Sequence, residues 1–374
     1  MKLSERNQKV LEAVVSGYIR TGEPVGSRTV SKHYGLSVSS ATIRNIMADL
    51  EDLGLLHQPH TSAGRVPTDK GLRLYLDSIL KIRDLEKRQQ ALIRKAFSSG
   101  RVDIEDLLRR TSQVLSRFCR QAGIVLWPRL SATRFKHIEF VRLRARQILV
   151  ILITASGLVQ HTLVEWDEDI SQDNLDKYSR YLNKILEDIP LSRVKECILK
   201  EMEGEKALFD QLFTRALEMS RRALQDALEN TAVHIEGHKH LLSNPEFADV
   251  VRMRRILEAF EDKSRIVRLL DRALDPSRQV QIILGTESDI SELHEMSVVS
   301  SPYGKGETVL GVLGVIGPTR MDYSRIIPVV TFTASLLSQF LEEPEDTHFS
   351  QHSGSSQKSQ HTPASDADRR HGHD

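Results

Sequence analysis

The strongest constraint on this chain is the distance between its two β-rich blocks. Apolar runs fall at Gly123–Trp127, His137–Leu143, Gln147–Thr154 and Leu158–Glu165, with Ala155-Ser156-Gly157 as a hairpin turn. They resume only at Gln279–Leu284, Met296–Ser300 and Thr308–Gly317. Most of the chain from Asp167 to Arg278 reads at helical spacing instead. This pattern predicts an α+β multidomain fold in which one sheet is interrupted by a helical excursion. Ser171–Ile189 is expected to cover the sheet. Leu191–Glu246 is expected to form a separate helical insertion on the stripe Leu208, Leu212, Phe213, Leu217, Leu224 and Leu228. Asp249–Phe260 and Lys263–Leu274 return to the sheet, and Asp322–Leu341 closes it as a helix bent at Pro328. Gly311, Gly314 and Gly317 match neither a dinucleotide fingerprint nor a phosphate loop, because no strand-to-helix turn follows them. Close backbone contacts between strands are the simpler reason for these glycines.

Ahead of the sheet lies a helix-turn-helix pattern. Residues 4–20 form a helix with Val10, Leu11, Val14, Val15, Tyr18 and Ile19 on one stripe, ended by Gly22 and Pro24. Ser27 caps a short second helix through Tyr34, anchored by Val30; Gly35 turns the chain and Leu36 packs inward. The third helix buries Ile43, Ile46, Met47, Leu50 and Leu53. Its opposite face carries Ala41, Asn45 and Ala48, with Arg44 on the flank, where a solvated helix would carry Lys and Glu. Small residues allow close approach to a surface, and Asn and Arg have forked groups that read adenine and guanine edges. Leu55-Leu56, a polar loop and Gly64-Arg65-Val66-Pro67 complete a hairpin wing, with Arg65 the candidate for the minor groove or the phosphates.

Lys and Arg total 52 against 51 Asp and Glu, so any nucleic-acid signal must be local. It is: from Arg20 to Ala48 the charges are Arg20, Arg28, Lys32 and Arg44 against Glu23 alone. The expected double-stranded DNA interface is therefore Arg28, Ser39, Ser40, Ala41, Thr42, Arg44, Asn45, Ala48 and Arg65. Within it Arg44 and Asn45 read bases, while Ser40, Thr42 and Arg65 mainly position the backbone. Thr68 caps a further helix expected to run on through the basic stretch Lys81–Lys95, until Ser98-Ser99-Gly100 breaks it. A helix over Ile104–Phe118 leads to the sheet. Cys119 and Cys197 lie in no metal-ligand spacing and fit a reducing cytoplasm, with a single disulfide as the alternative. The N-terminus has no apolar signal core and Ile148–Ile153 is too short to cross a bilayer, so no membrane is expected. No nucleophile elbow, metal motif or catalytic carboxylate pair is present, which argues against an enzyme and against a cofactor. From Glu342 onward Ser, Gln and His dominate, as in a disordered tail.

Three segments carry a resemblance. GEPVGSRTV (Gly22–Val30), SSATIRNIMADLEDLGLL (Ser39–Leu56) and HTSAGRVPTDKGLRLYLD (His60–Asp77) are similar to the HrcA family of bacterial heat-shock repressors, with a likeness that extends to about Leu341. The resemblance implies a homodimer that binds an inverted-repeat operator upstream of chaperone genes, kept active by a GroE-type chaperonin. It also implies a GAF-like domain for the β blocks and a dimerising role for the insertion. The resulting layout is a winged helix over 1–80, a connector over 81–118, the GAF-like domain over 119–190 and 247–341, the helical dimerising insertion over 191–246, and the disordered tail over 342–374. A ligand-sensing regulator is the rival, but no polar cluster converges on the sheet. Regulation through the amount of folded repressor is the preferred expectation, because a sheet split this widely closes late.

Overall fold

The computed structural model describes residues 3–342 except for 35–37, 98–103, 128–132, 204–214, 216, 220–232, 244, 248, 273–277, 289, 291–292 and 307. Helix α1 (Glu5–Thr21) begins where the Ser4 hydroxyl accepts the Asn7 amide and stops at Gly22, whose φ of 75° suits glycine. Helices α2 (Ser27–His33) and α3 (Ser40–Asp52) follow, then a two-stranded wing of β1 (Leu56–His57) and β2 (Val66–Pro67). Ile43, Ile46, Met47 and Leu50 are buried as expected. Leu53, at the end of α3, is 39% exposed and is not a core residue. The Gly35 turn and Leu36 lie outside the described residues.

The helix capped by Thr68, α4 (Asp69–Ser78), does not run on through the basic stretch. It ends at Ile79, and a separate helix α5 (Lys87–Phe97) starts eight residues later. In between, Leu80 and Leu85 pack on the core and the Arg83 amide donates to the Ser324 carbonyl at 3.4 Å. Tertiary contacts have overridden helical propensity there. The expected break at Ser98–Gly100 lies outside the described residues. Helix α6 (Ile104–Cys119) leads into β3 (Ala122–Leu126).

One sheet was expected; there are two. A three-stranded antiparallel sheet of β4 (Phe135–Arg144), β5 (Gln147–Thr154) and β6 (Val159–Glu165) stands apart. Its inner face packs on α7 (Gln172–Ile185) and α8 (Leu191–Glu203), burying Phe135, Ile138, Phe140, Val150 and Leu152 against Leu175, Tyr178, Leu182 and Val194. Helix α7 also protects the edge of β4: Ser179 accepts the Phe140 amide and Asn183 pairs with both backbone groups of Ile138. The insertion therefore begins after Leu126, not at Leu191, and it contains strands. Of its expected stripe, Leu217 is buried; Leu208, Leu212, Phe213, Leu224 and Leu228 lie outside the described residues.

The main sheet is built from β7 (Val233–Glu236), helices α9 (His238–Leu242), α10 (Val250–Glu261) and α11 (Lys263–Asp271), β8 (Gln281–Leu284), β9 (Met296–Lys305), β10 (Thr308–Pro318) and α12 (Tyr323–Glu342). Its antiparallel order is β7-β3-β10-β9-β8. Residues 233–236, expected to be helical insertion, are thus an edge strand of the main sheet. Val312, Ile316, Val298 and Ile124 point to α9–α11, and Leu313, Val315, Val299 and Val125 to α6 and α12. The second of these cores is continuous with that of the winged helix. The strand glycines answer to close contacts: the Tyr303 ring lies across Gly311 and its hydroxyl donates to the Leu126 carbonyl at 2.5 Å, while Gly314 sits on the Val299 carbonyl. Helix α12 has the length and hydropathy of a membrane span, but Ile326, Ile327, Val329, Val330, Leu336 and Leu337 are buried in the protein core. Cys119 and Cys197 are not joined in a disulfide; burial pushes the Cys119 thiol up to about 12. The tail expected to be disordered lies beyond the described residues.

Candidate nucleic-acid interface

Helix α3 presents the expected face. Its N-terminus is capped by Ser39, which accepts the Thr42 amide at 3.1 Å and hydrogen-bonds the Thr42 hydroxyl at 2.9 Å. The two hydroxyls hold each other in place at the positive end of the helix, where the free amides favour an anion. Ser40 is half-buried beside them. Ala41, Thr42, Arg44, Asn45 and Ala48 are exposed along one side, and neither Arg44 nor Asn45 is engaged by another described residue. Arg28 is exposed on α2, as is Lys32, which the sequence reading counted only in the charge balance. Small residues around an unengaged amide and guanidinium make a surface with the shape and donors that reading base edges in a groove requires.

Arg65 is placed differently from the expectation. Its guanidinium does not project from the wing. It is 17% exposed and pairs through Nη2 with Glu51 Oε2 at 2.8 Å, while Nε is buried without a hydrogen bond. The same carboxylate accepts the Gln58 amide at 2.9 Å through Oε1, so the last turn of α3 grips both legs of the wing. Gln58 in turn donates to the Thr61 and Ala63 carbonyls, both at 2.9 Å, closing the loop. Backbone bonds between Val25 and Arg65, at 2.9 and 3.0 Å, fasten the wing to the segment before α2. Gly64 permits that approach, since a Cβ there would lie 2.5 Å from the Val25 backbone. The exposed wing tip offers His60, Thr61 and Ser62, which are polar but carry no Lys or Arg. Nothing in the spacing of Glu51, Gln58 and Arg65 announces a three-way brace before the hairpin register is known.

Elsewhere, a cavity of about 10 Å³ beneath α11 is lined by Leu269, Ile283, Leu293, Met296, Val298 and Ile316, among others. Its volume suits about one water rather than a metabolite, and its lining is apolar. Among the described residues no three His, Cys, Asp or Glu side chains gather in a way that would hold a metal ion.

Comparison with known proteins gives a consistent family. The family model described as HrcA protein C terminal domain matches residues 105–327. A protein of Syntrophobacter fumaroxidans named heat-inducible transcription repressor HrcA is 67% identical over 342 residues, covering 91% of this chain and 98% of that protein. One of the same name from Geobacter sulfurreducens is 50% identical over 340 residues, covering 91% and 98%. A crystal structure of a hypothetical protein aligns with a TM-score of 0.58 at 24% identity over 91% of this chain and 99% of that one, a likeness of fold.

Proposed function

The chain belongs to the HrcA family of heat-inducible transcription repressors and is a negative regulator of transcription; on that premise we propose that each winged helix reads one half of an inverted-repeat operator upstream of chaperone genes. The observation that carries this is the face of α3, with Arg44 and Asn45 exposed and unengaged between Ala41 and Ala48. These two read base edges. Ser39, Ser40 and Thr42 meet a phosphate at the helix N-terminus, and Arg28 a neighbouring one. Arg65 acts on DNA through the wing that it fastens.

One recognition helix reads too few base pairs to find one operator in a genome, so the active form is a homodimer. The outer face of the three-stranded sheet supports this. Leu143, Val159 and Leu163 are 52%, 49% and 52% exposed there, beside half-buried Val141, Leu149, Ile151 and Ile153. Apolar residues concentrated along β5, with Glu139 and His161 on either side of Ile151, mark an interaction surface, and a second copy of the same sheet matches it in chemistry.

Repression is maintained by a GroE-type chaperonin in the cytoplasm and lost on heat stress. The topology supports dependence on folding assistance: β3 pairs with β10 across nearly two hundred residues, Val125 to Leu313, and both strands are buried on two faces. Footprinting the purified protein on its own upstream DNA, with and without chaperonin, tests the whole reading. Protection of two symmetric half-sites that is recovered after denaturation only with chaperonin is the expected result. Equal recovery without chaperonin, or release of folded dimer by a metabolite, would overturn the regulatory part.

A further inference from the structure

The winged helix is not tethered to the main sheet by a free linker; specific side chains hold it. Arg73 on α4 donates from Nε to Glu287 Oε1 at 2.8 Å and pairs through Nη2 with Glu287 Oε2. The same guanidinium donates to the Ile282 carbonyl at 2.9 Å, and Glu287 accepts the Leu284 amide at 3.0 Å. Ile282 and Leu284 belong to β8, the edge strand of the main sheet, so the pair covers open backbone groups of that edge. Glu287 is itself fixed in the 3-10 turn Gly285–Glu287, which packs so closely on the His294 carbonyl that Gly285 has no room for a side chain. A second arginine engages α1 instead of α4. Arg320, just after β10, is ion-paired with Glu246, lies over the Tyr18 ring at 5.9 Å and fills the space beside Gly22 at the end of α1.

Joined domains move relative to one another by default unless their interface is large and hydrophobic; here the apolar core runs across it, and the two arginine pairs add directional anchors to that core. We propose that Arg73 and Glu287 are positioning residues for operator recognition, which fix the pitch of each recognition helix on the main sheet and so set the half-site spacing that the dimer accepts. This rests on the dimeric operator-reading function above. Two linked reading heads gain affinity only while their geometry matches the spacing of the sites, and freedom in that geometry dilutes one head as seen by the other.

The test uses the full chain and three kinds of duplex: the footprinted repeat at its natural spacing, the repeat with spacing altered by a few base pairs, and a single half-site. Arg73→Gln should lose about tenfold or more on the natural repeat, stay within about twofold on the half-site, and discriminate less between spacings. Glu287→Gln should do the same, and Arg73→Lys, which keeps the charge and a donor for Glu287, should recover part of the spacing preference. Spacing profiles unchanged in both single variants, or equal losses on repeat and half-site, would overturn the proposal. Wild-type protein that fails to prefer the repeat over the half-site would instead overturn the dimeric reading, a result visible before any variant is made.

Discussion

The brace at the base of the wing makes a quantitative prediction that separates two roles for Arg65. Glu51→Ala removes the acceptor of two contacts, the Gln58 amide at 2.9 Å and the Arg65 guanidinium at 2.8 Å. A hydrogen bond to a charged group contributes about 1.5–3 kcal/mol. Glu51 is 33% exposed, which places the pair toward the lower end, but the guanidinium is left 17% exposed with no partner for its charge and Nε already unsatisfied. The wing should therefore lose about 2 kcal/mol of local stability. Arg65→Ala should cost less, because it strands a more exposed carboxylate, and the double variant should fall short of the sum by about 1 kcal/mol. Hydrogen exchange of the Gln58 and Ala63 amides reads this directly as local opening. Operator binding against salt then decides the role. If Arg65 only braces, Arg65→Ala weakens operator and random DNA alike and leaves the salt slope unchanged. A slope reduced by about one unit would mean that Arg65 meets a phosphate itself, and the bracing argument would fail.

Three further outcomes are expected. Asn45→Ala should cost about 1–3 kcal/mol on the operator, relax preference at one base pair per half-site and spare random DNA; equal losses on both would remove Asn45 from base reading. Leu163→Lys, on the outer face of the small sheet, should yield a folded monomer in sedimentation with weakened operator binding, and an intact dimer would move the interface elsewhere. His234 has a buried Nε2 without a partner and packs against Trp127, and burial lowers its pKa. A folded-state pKa below the unfolded one means that protons favour unfolding. The stability held by neutral His234 should be complete above about pH 6.5 and decline as pH falls below it, and His234→Phe should lose that part of the pH dependence in urea melts. A difference between the two proteins that does not vary with pH would dismiss the argument.

Much of the winged helix was legible because its signals are local. Ser4, Ser39 and Thr68 stand at helix starts and Gly22 at a helix end, as the residue types require. The second sheet was not, for a reason visible in β5. Its run Ile148–Ile153 is apolar at every position, as in a strand buried on both faces, and nothing in the run separates it from the strands of the main sheet. In the fold only Ile148, Val150 and Leu152 face inward, and Leu149, Ile151 and Ile153 look outward. The outward set imitates a core strand because it is as apolar as the inward one. Edge strand β7 is four residues long and carried no periodicity to distinguish it from the helices around it. In the candidate interface, the exposed face of α3 follows from helical spacing, whereas the Glu51–Arg65 brace depends on the hairpin register.

Helix α12 carries the most lipid-like stretch of the chain, and it comes last among the described elements. During synthesis it therefore leaves the ribosome when α5, α6, β9 and β10, which pack around it, are already made. Order of emergence hides what composition would advertise: a nineteen-residue segment long and apolar enough to cross a membrane has a docking site waiting before it appears. A circular permutant beginning at Tyr323 would reverse that order, presenting the bare helix first, and in cells should be drawn to the membrane fraction although every contact of the finished fold is unchanged.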